Sequence, residues 1–233
     1  MKKTFTAFWA FLKRPSLLRL SDHKATLKQD FLWLLLLDIV VAFALAVTFS
    51  VLVKFNFIDE YKEQDLIKEY GVYLSFLLLC VFAPLVEECF FRWHLTKRYA
   101  TVYFLFFSLS GIIISFVSEN LIGYILFFLL LIISISAHQY LKKQSQTKKQ
   151  LIWKKMFPFI FYFSAIIFGI IHLSNFDGLT IKDPAFIIYI SSQMFGGLSL
   201  GYLRTKHGLK YSMLSHACFN LVVLILSILF PNF

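Results

Sequence analysis

Apolar stretches of about 20 residues recur along the whole length of this 233-residue chain. Each is long enough to cross the hydrocarbon core of a bilayer, about 30 Å thick, as one helix. Backbone N–H and C=O groups find no water in lipid, so a spanning segment of this length is expected to be helical. The predicted spans cover residues 31–53, 70–95, 99–117, 120–138, 156–174, 184–203 and 209–230.

The composition supports this interpretation. Hydrophobic residues make up 59% of the chain and charged residues 15%, and the mean hydropathy is +0.73. Such a chain has too few polar side chains to cover the surface of a soluble globule. The sequence therefore predicts an all-α polytopic membrane protein, a bundle of about seven transmembrane helices, with membrane lipid as its first partner.

The basic residues alternate between the loops. Of the 23 lysines and arginines, 19 lie before the first span or in the loops after the second, fourth and sixth spans. The other loops hold four lysines and eight acidic residues. The positive-inside rule then predicts a multi-pass protein of the cytoplasmic membrane with its N-terminus inside and its C-terminus outside. This distribution explains the net charge of +10 without a nucleic-acid partner.

Residues 1–29 form a basic arm ahead of the transmembrane domain, which is predicted to cover residues 30–233. Within the arm, Phe5, Phe8, Trp9 and Leu12 fall at helical spacing among lysines. This pattern predicts an amphipathic helix lying on the inner leaflet, with a disordered basic tail as the alternative.

Two adjacent glutamates, Glu87 and Glu88, lie inside the apolar stretch from Val72 to Trp93. A charged side chain at membrane depth costs roughly 2.5 to 3.5 kcal/mol on insertion scales and usually marks a functional site. Glu88 and Arg92 are one helical turn apart, acid before base, so they are expected to pair. Glu87 lies about 100° further round the helix and is left free for chemistry. The alternative is that both carboxylates serve only Arg92.

Two other spans carry polar residues at helical spacing. His172 lies one turn after Phe168, which can pack against its ring, and His216 lies one turn before Asn220 on a shared face. Taken singly, such residues are more often hydrogen-bonded core groups or contacts between helices than sites.

The three fragments together resemble the CPBP family of intramembrane endopeptidases, also called Abi proteins, which is related to the CAAX prenyl endopeptidase of eukaryotes. The resemblance covers roughly residues 72–222, and there are two departures from the family pattern. Trp93 follows Arg92 where many members have glycine, and 79 residues separate Arg92 from His172, so a helical hairpin at residues 99–140 looks inserted. The matching segments are Glu87-Glu88-Cys89-Phe90-Phe91-Arg92, Phe168 to His172, the glycine-rich 195–204, and His216-Ala217-Cys218-Phe219-Asn220.

The resemblance implies an endopeptidase that hydrolyses a peptide bond of a membrane-anchored protein or a peptide. Glu87, with His172 beside it, would activate a water molecule, and His216 and Asn220 would donate hydrogen bonds to the developing oxyanion. The ion pair beside Glu87 would orient the helix. The motifs identify neither the substrate nor an oligomeric state.

Other functions remain open at this stage. A zinc-dependent version would bind the metal through Glu87, His172 and His216 with a water in the fourth position. No HExxH helix is present, so no cofactor is favoured and zinc is the alternative. A transporter would predict an internal repeat, which the sequence lacks. A catalytically silent membrane scaffold is the third possibility.

Three further features of the sequence lead to predictions about packing and exposure. Asp38 in the first span is a functional candidate by the rarity of intramembrane acids, and could cap a neighbouring helix or line a polar cavity. Gly197 and Gly201 form a GxxxG step that predicts close helix packing inside the bundle. Solvated side chains are expected for the histidines at the predicted cytoplasmic boundary, which are His23, His94, His138 and His207.

Overall fold

The computed structural model describes residues 1–18, 25–62, 64–117, 121–183 and 185–230. In these ranges the regular secondary structure is helical and no strand occurs. Short 3₁₀ turns at Trp93–Thr96 and His172–Asn175 follow the fourth and seventh helices. The nine helices of the described residues are α1 (Lys2–Lys13), α2 (Leu27–Lys54), α3 (Leu66–Phe76), α4 (Ala83–Phe91), α5 (Arg98–Val117), α6 (Leu121–Lys143), α7 (Gln146–Ile171), α8 (Phe186–His207) and α9 (Leu209–Leu229).

The prediction of an all-α polytopic membrane protein is confirmed. Six helical segments in the described ranges are long and apolar enough to cross a membrane, and each contains or overlaps a predicted span. The remaining predicted span, 99–117, is the third along the chain. It corresponds to α5, whose apolar part Arg98–Ile114 is shorter than the other six segments. The six long segments are Leu27–Lys54, Leu66–Phe91, Leu121–Lys143, Gln146–Asn175, Phe186–His207 and Leu209–Leu229.

Helix α8 is the centre of the bundle and packs against α2, α7 and α9. Glycines allow its close approach to α7. A Cβ atom at Gly197 would lie 3.1 Å from the Cα atom of Ala165, and one at Gly201 would lie 2.7 Å from Phe161. The predicted GxxxG step therefore lies inside the bundle, where any larger residue would push α7 and α8 apart.

The second span is not a continuous α-helix. Gly71 has φ 74°, which folds the first turn of α3 back so that the Ser75 hydroxyl donates to the Leu66 carbonyl at 2.8 Å. A π-helical turn at Leu77–Phe82 then joins α3 to α4. Gly71 and the π-helical turn therefore both lie between the start of this span and the two glutamates of α4.

Helix α1 is present where the amphipathic pattern predicted a helix. Its apolar face packs against the bundle. Phe8 is fully buried, and its ring lies 5.3 Å from the ring of Tyr202 in α8. Phe11 packs edge-on against Phe161 in α7 at 5.1 Å. The arm residues 19–24, which include His23, lie outside the described residues.

The α5–α6 hairpin corresponds to the segment that looked inserted. Helix α5 packs against α7 and contributes Phe104 to a small core with Phe91 and Phe168. Helix α6 packs chiefly on α5, and its apolar window is exposed. The hairpin is thus attached to the site-bearing helices through α5.

A cluster of loop contacts holds the end of α7. The backbone N–H of Gln64 donates to the Asn175 carbonyl at 2.9 Å, and that of Asp177 donates to the Lys62 carbonyl at 2.9 Å. Nearby, the Tyr61 hydroxyl donates to Asp183, a bond that raises the pKa of Tyr61 to about 12. The 3₁₀ turn that begins at His172 is therefore tied to the loop that precedes α3.

Candidate active site

Glu88 and Arg92 form the predicted ion pair, and both side chains are buried. The guanidinium Nη1 lies 3.0 Å from Glu88 Oε1, with exposed fractions of 1% for Arg92 and 0% for Glu88. The Ser212 hydroxyl also donates to Glu88, and His216 Nδ1 lies 3.2 Å from Glu88 Oε1. Glu88 is therefore fully engaged with its neighbours and joins α4 to α9.

The Arg92 guanidinium stacks on an aromatic ring. Its Cζ atom lies 3.8 Å from the ring centroid of Phe168, and the Arg92 carbonyl accepts a hydrogen bond from Arg204 Nε at 3.0 Å. Within the described part of the chain, neither Nη atom has a hydrogen bond of good geometry. The Arg92 charge is thus held by two interactions, stacking on Phe168 of α7 and ionic attraction to Glu88 of α4.

Glu87 points to the two histidines instead of to Arg92. Its Oε2 atom lies 3.8 Å from His172 Nε2 and 3.9 Å from His216 Nε2, and its side chain is 24% exposed. Among the described residues Oε2 has no hydrogen-bond partner. These separations are too long for direct hydrogen bonds but well within the reach of a water bonded at about 2.8 Å to each group.

His172 has a defined orientation. Its Nδ1 atom lies 2.6 Å from the Phe168 carbonyl oxygen, and its ring packs against that of Phe168 with centroids 4.7 Å apart. A carbonyl oxygen only accepts hydrogen bonds, so Nδ1 carries the proton. Nε2 of the neutral ring then presents a lone pair toward Glu87.

His172 and Glu87 belong to helices that are far apart in the chain, and the structure brings their side chains to within 3.8 Å. Helix α7 begins at Gln146, ten residues before the predicted start, with the Ser145 hydroxyl accepting from the Lys148 N–H at 3.3 Å. It continues through Pro158 and buries Trp153 and Phe157. Helix α7 therefore runs to Ile171, and His172 directly follows it with its Nε2 atom 3.8 Å from Glu87 Oε2.

Asn220 is one turn from His216, as predicted, and its amide is already partly used. Nδ2 donates to the Leu79 carbonyl in the π-helical turn at 2.7 Å. There the Ala83 N–H donates to Leu78, and Pro84 has no N–H to offer. The Asn220 side chain therefore gives the Leu79 carbonyl the hydrogen bond that the helix of Leu79 cannot provide. The second amide hydrogen of Asn220 is not used in this bond.

Glu87, His172 and His216 are also the three groups that a zinc site would use. Zinc bonds of about 2.0–2.2 Å in a tetrahedron hold neighbouring ligand atoms about 3.3–3.6 Å apart, whereas Glu87 Oε2 lies 3.8 and 3.9 Å from the two histidine nitrogens. No group of three or more His, Cys, Asp or Glu side chains in the described ranges has metal-site geometry. A carboxylate and two imidazoles are typical zinc ligands. The distances between them fit groups bridged by a water better than ligands of one zinc ion.

Sequence reasoning missed Ser212, the second partner of Glu88. It could have been predicted from the sequence, because Ser212 lies one turn before His216 and therefore shares its face of α9.

The prediction of solvated boundary histidines was wrong for two of them. His94 is 2% exposed and stacks on Phe104 at 3.8 Å, and His207 lies 2.9 Å from Asp30 with its side chain buried. Tertiary packing covers both rings.

The fold and these residues define a polytopic membrane protein whose bundle encloses a carboxylate between two imidazoles. Residues 70–222 match the type II CAAX prenyl endopeptidase Rce1-like family. The match spans more than half of the chain, so the protein belongs to this family, and the resemblance to CPBP proteins is confirmed. It is a CAAX protease-like membrane protein, and the α5–α6 hairpin lies within the matched range. No curated protein and no solved structure is similar enough to this chain to match it.

Proposed function

We propose that this protein is an intramembrane endopeptidase of glutamic type that hydrolyses a peptide bond in a membrane-anchored protein or a peptide. The observation that carries the proposal is the position of Glu87 Oε2, 3.8 and 3.9 Å from the Nε2 atoms of His172 and His216. A carboxylate oxygen without a hydrogen-bond partner among the described residues, facing two imidazoles at a distance that one water can span, supports general-base hydrolysis.

The first chemical step is addition of water to the scissile carbonyl. A water between Glu87 and His172 donates one hydrogen to each, since both present acceptor lone pairs. As its oxygen bonds to the carbonyl carbon, Glu87 takes the proton and the carbonyl π electrons move to oxygen. Glu87 then gives that proton to the leaving nitrogen as the C–N bond breaks, which restores the carboxylate.

The oxyanion is stabilised from α9. His216 donates from Nε2 and Asn220 from its remaining amide hydrogen. The contact of His216 Nδ1 with Glu88 Oε1 at 3.2 Å holds the ring in the orientation that turns Nε2 toward Glu87. Removing one such donor costs about 10² to 10³ in rate.

Glu87→Gln tests the proposal directly, because it keeps the shape of the side chain and removes the base. We expect loss of at least about 10² in cleavage rate. The assay compares peptide termini in host membranes that carry wild-type or Glu87→Gln protein and searches for boundaries that disappear. Glu69→Gln, an exposed glutamate in the first turn of α3, is the matched control. Identical boundary profiles for folded wild-type and Glu87→Gln protein would instead favour the non-catalytic scaffold.

Metal analysis distinguishes the glutamic mechanism from the zinc version. In the zinc version His172, His216 and Glu87 would hold the ion, which would polarise a bound water. We expect purified protein to contain less than stoichiometric zinc and to keep its activity in a chelator. One zinc per chain together with chelator-sensitive cleavage would overturn the glutamic assignment.

A further inference from the structure

Ser164 of α7 carries a buried hydroxyl that the proposed mechanism does not use. Its side chain is 3% exposed, and Oγ donates to the Phe91 carbonyl oxygen at 2.7 Å. Phe91 is the last residue of α4, the helix that carries Glu87. Carbonyls at the end of a helix have no partner within it, so a side chain from a neighbouring helix can satisfy them. The Ser164 hydrogen bond therefore joins α7 to the end of α4.

The side of α7 that faces α4 makes a contact at every fourth residue. Ser164 binds the Phe91 carbonyl at one end of this row. Phe168 follows and packs edge-on against the Phe91 ring, with the ring centroids 5.3 Å apart. His172 is the last of the three, and its Nε2 atom lies 3.8 Å from Glu87 Oε2. Because residues four apart share one face of a helix, a movement of α7 along α4 displaces all three contacts together.

Of these three contacts, the Ser164 hydrogen bond is the most sensitive to such a movement. A hydrogen bond weakens steeply when its donor moves out of line or beyond about 3.2 Å. Ring packing between Phe168 and Phe91 tolerates a small slide, and the separation of His172 from Glu87 is too long for a direct hydrogen bond. The Ser164 bond is thus the directional contact that fixes the axial register of α7 on α4.

Arg204 holds the same end of α4 to α8. Its side chain is 7% exposed, Nε donates to the Arg92 carbonyl at 3.0 Å, and Nη2 donates to the Thr96 hydroxyl at 2.6 Å. Two bonds from one planar guanidinium fix an angle as well as a distance. The end of α4 is therefore attached to α8 independently of α7, so loss of the Ser164 bond leaves α4 in place while α7 is free to slide.

We propose that Ser164 is a positioning residue of this site: its hydrogen bond to the Phe91 carbonyl sets the register of α7 on α4 and so holds His172 opposite Glu87. The functional consequence rests on the proposed protease activity, whereas the effect on the His172 ring does not. Ser164 lies two helical turns from His172 and touches neither the reacting water nor the substrate in this scheme.

Histidine NMR of ¹⁵N-labelled protein in detergent tests the structural step independently of any activity. Ser164→Ala should shift the imidazole resonances of His172. Tyr162→Phe is the matched control on the same helix, because it also removes one hydroxyl that donates to a backbone carbonyl of another helix, that of Leu12 in α1. Tyr162→Phe should leave His172 unchanged, since its lost bond does not join α7 to α4.

Cleavage kinetics test the functional step. On a peptide whose cleavage is identified with Glu87→Gln, we expect Ser164→Ala to lower kcat about tenfold to a hundredfold, as small misplacements of catalytic groups do, with KM unchanged. In a His172→Ala background the same change should have little further effect, because the ring that the register positions is absent. Tyr162→Phe should keep the wild-type kcat per folded molecule.

Unmoved His172 resonances in folded Ser164→Ala protein would overturn the proposal, as would equal shifts in Tyr162→Phe protein or rate effects of Ser164→Ala and His172→Ala that multiply. If Ser164→Ala does not fold, Ser164→Cys replaces it, because a thiol is close in shape to the hydroxyl and a weaker hydrogen-bond donor. That variant should shift the same resonances by a smaller amount, and the absence of a shift would equally overturn the proposal. Shifted His172 resonances in a protein without any cleavage activity would support the register and contradict only the proposed function.

Discussion

The two adjacent glutamates have opposite surroundings, and this contrast yields a prediction at the scale of single residues. Glu88 is fully buried with three partners, whereas Glu87 is 24% exposed and makes no hydrogen bond from Oε2 in the described ranges. Glu88→Gln leaves Arg92 without its carboxylate, and breaking a buried ion pair costs about 3–5 kcal/mol. Glu87→Gln should change stability by less than about 1 kcal/mol.

The measurement is the midpoint of thermal unfolding of both variants in the same detergent, beside the cleavage assay. We expect Glu87→Gln to melt like the wild type and to be inactive, and Glu88→Gln to melt at a clearly lower temperature. Equal losses of stability would mean that both carboxylates serve Arg92, which is the alternative that the sequence left open.

Helical periodicity predicted the local pairs of the site. Glu88 with Arg92 and Phe168 with His172 are contacts between residues four apart, so a single helix fixes them. The distance between Glu87 and His172 joins two helices and depends on where α7 begins and how it packs. The motif resemblance predicted that encounter, whereas helical periodicity carries no information about it.

At the scale of elements, the π-helical turn makes a prediction about Asn220. The Leu79 carbonyl depends on the Asn220 amide because residue 84 is a proline. Asn220→Ala leaves this carbonyl unsatisfied at a cost of about 1–3 kcal/mol. Pro84→Ala supplies a backbone N–H at the missing position, so the penalty of Asn220→Ala should shrink in that background.

Cleavage rates separate the two roles of Asn220. In the Pro84→Ala background, Asn220→Ala should regain stability but remain slow by about 10² to 10³, because a backbone N–H restores the turn without donating to the oxyanion. A rate that recovers together with the melting temperature would show that Asn220 is only structural.

Helix α1 makes a second prediction for an element. Phe8 is fully buried against Tyr202, whereas its neighbour Trp9 is 56% exposed. Phe8→Ala should cost about 3–5 kcal/mol, the usual loss for a buried aromatic, and Trp9→Ala less than about 1 kcal/mol. Thermal unfolding in detergent measures both, and a larger loss for Trp9→Ala would mean that α1 is held by surrounding amphiphile more than by the bundle.

For the whole molecule, composition and span length predicted the architecture well, because in lipid the helix is almost the only solution for an apolar stretch of 20 residues. The irregular points were not predictable from periodicity. The φ of 74° at Gly71 interrupts a helical pattern, and the packing of α1 depends on contacts with α2 and α8, which are distant in the chain. The burial of His94 and His207 has the same origin.

The sequence predicts which side of the membrane each loop occupies. Seven predicted spans, with α3 and α4 counted as one and α5 included, predict termini on opposite sides of the membrane. In that topology 19 of the 23 basic residues lie on the side of the N-terminus, which the positive-inside rule assigns to the cytoplasm. The α5–α6 hairpin would add an even number of crossings and leave this prediction unchanged.

Cysteine labelling of loop residues checks the orientation. In a background without Cys80, Cys89 and Cys218, we expect Lys182→Cys to react with a membrane-impermeant maleimide on intact cells. Lys148→Cys, in the polar first turns of α7, should react only after permeabilisation. Lys148 and Lys182 are both exposed. A difference in labelling therefore reports the side of the membrane and not the accessibility of the residue. The opposite pattern would place the basic loops outside and invert the side from which a substrate enters.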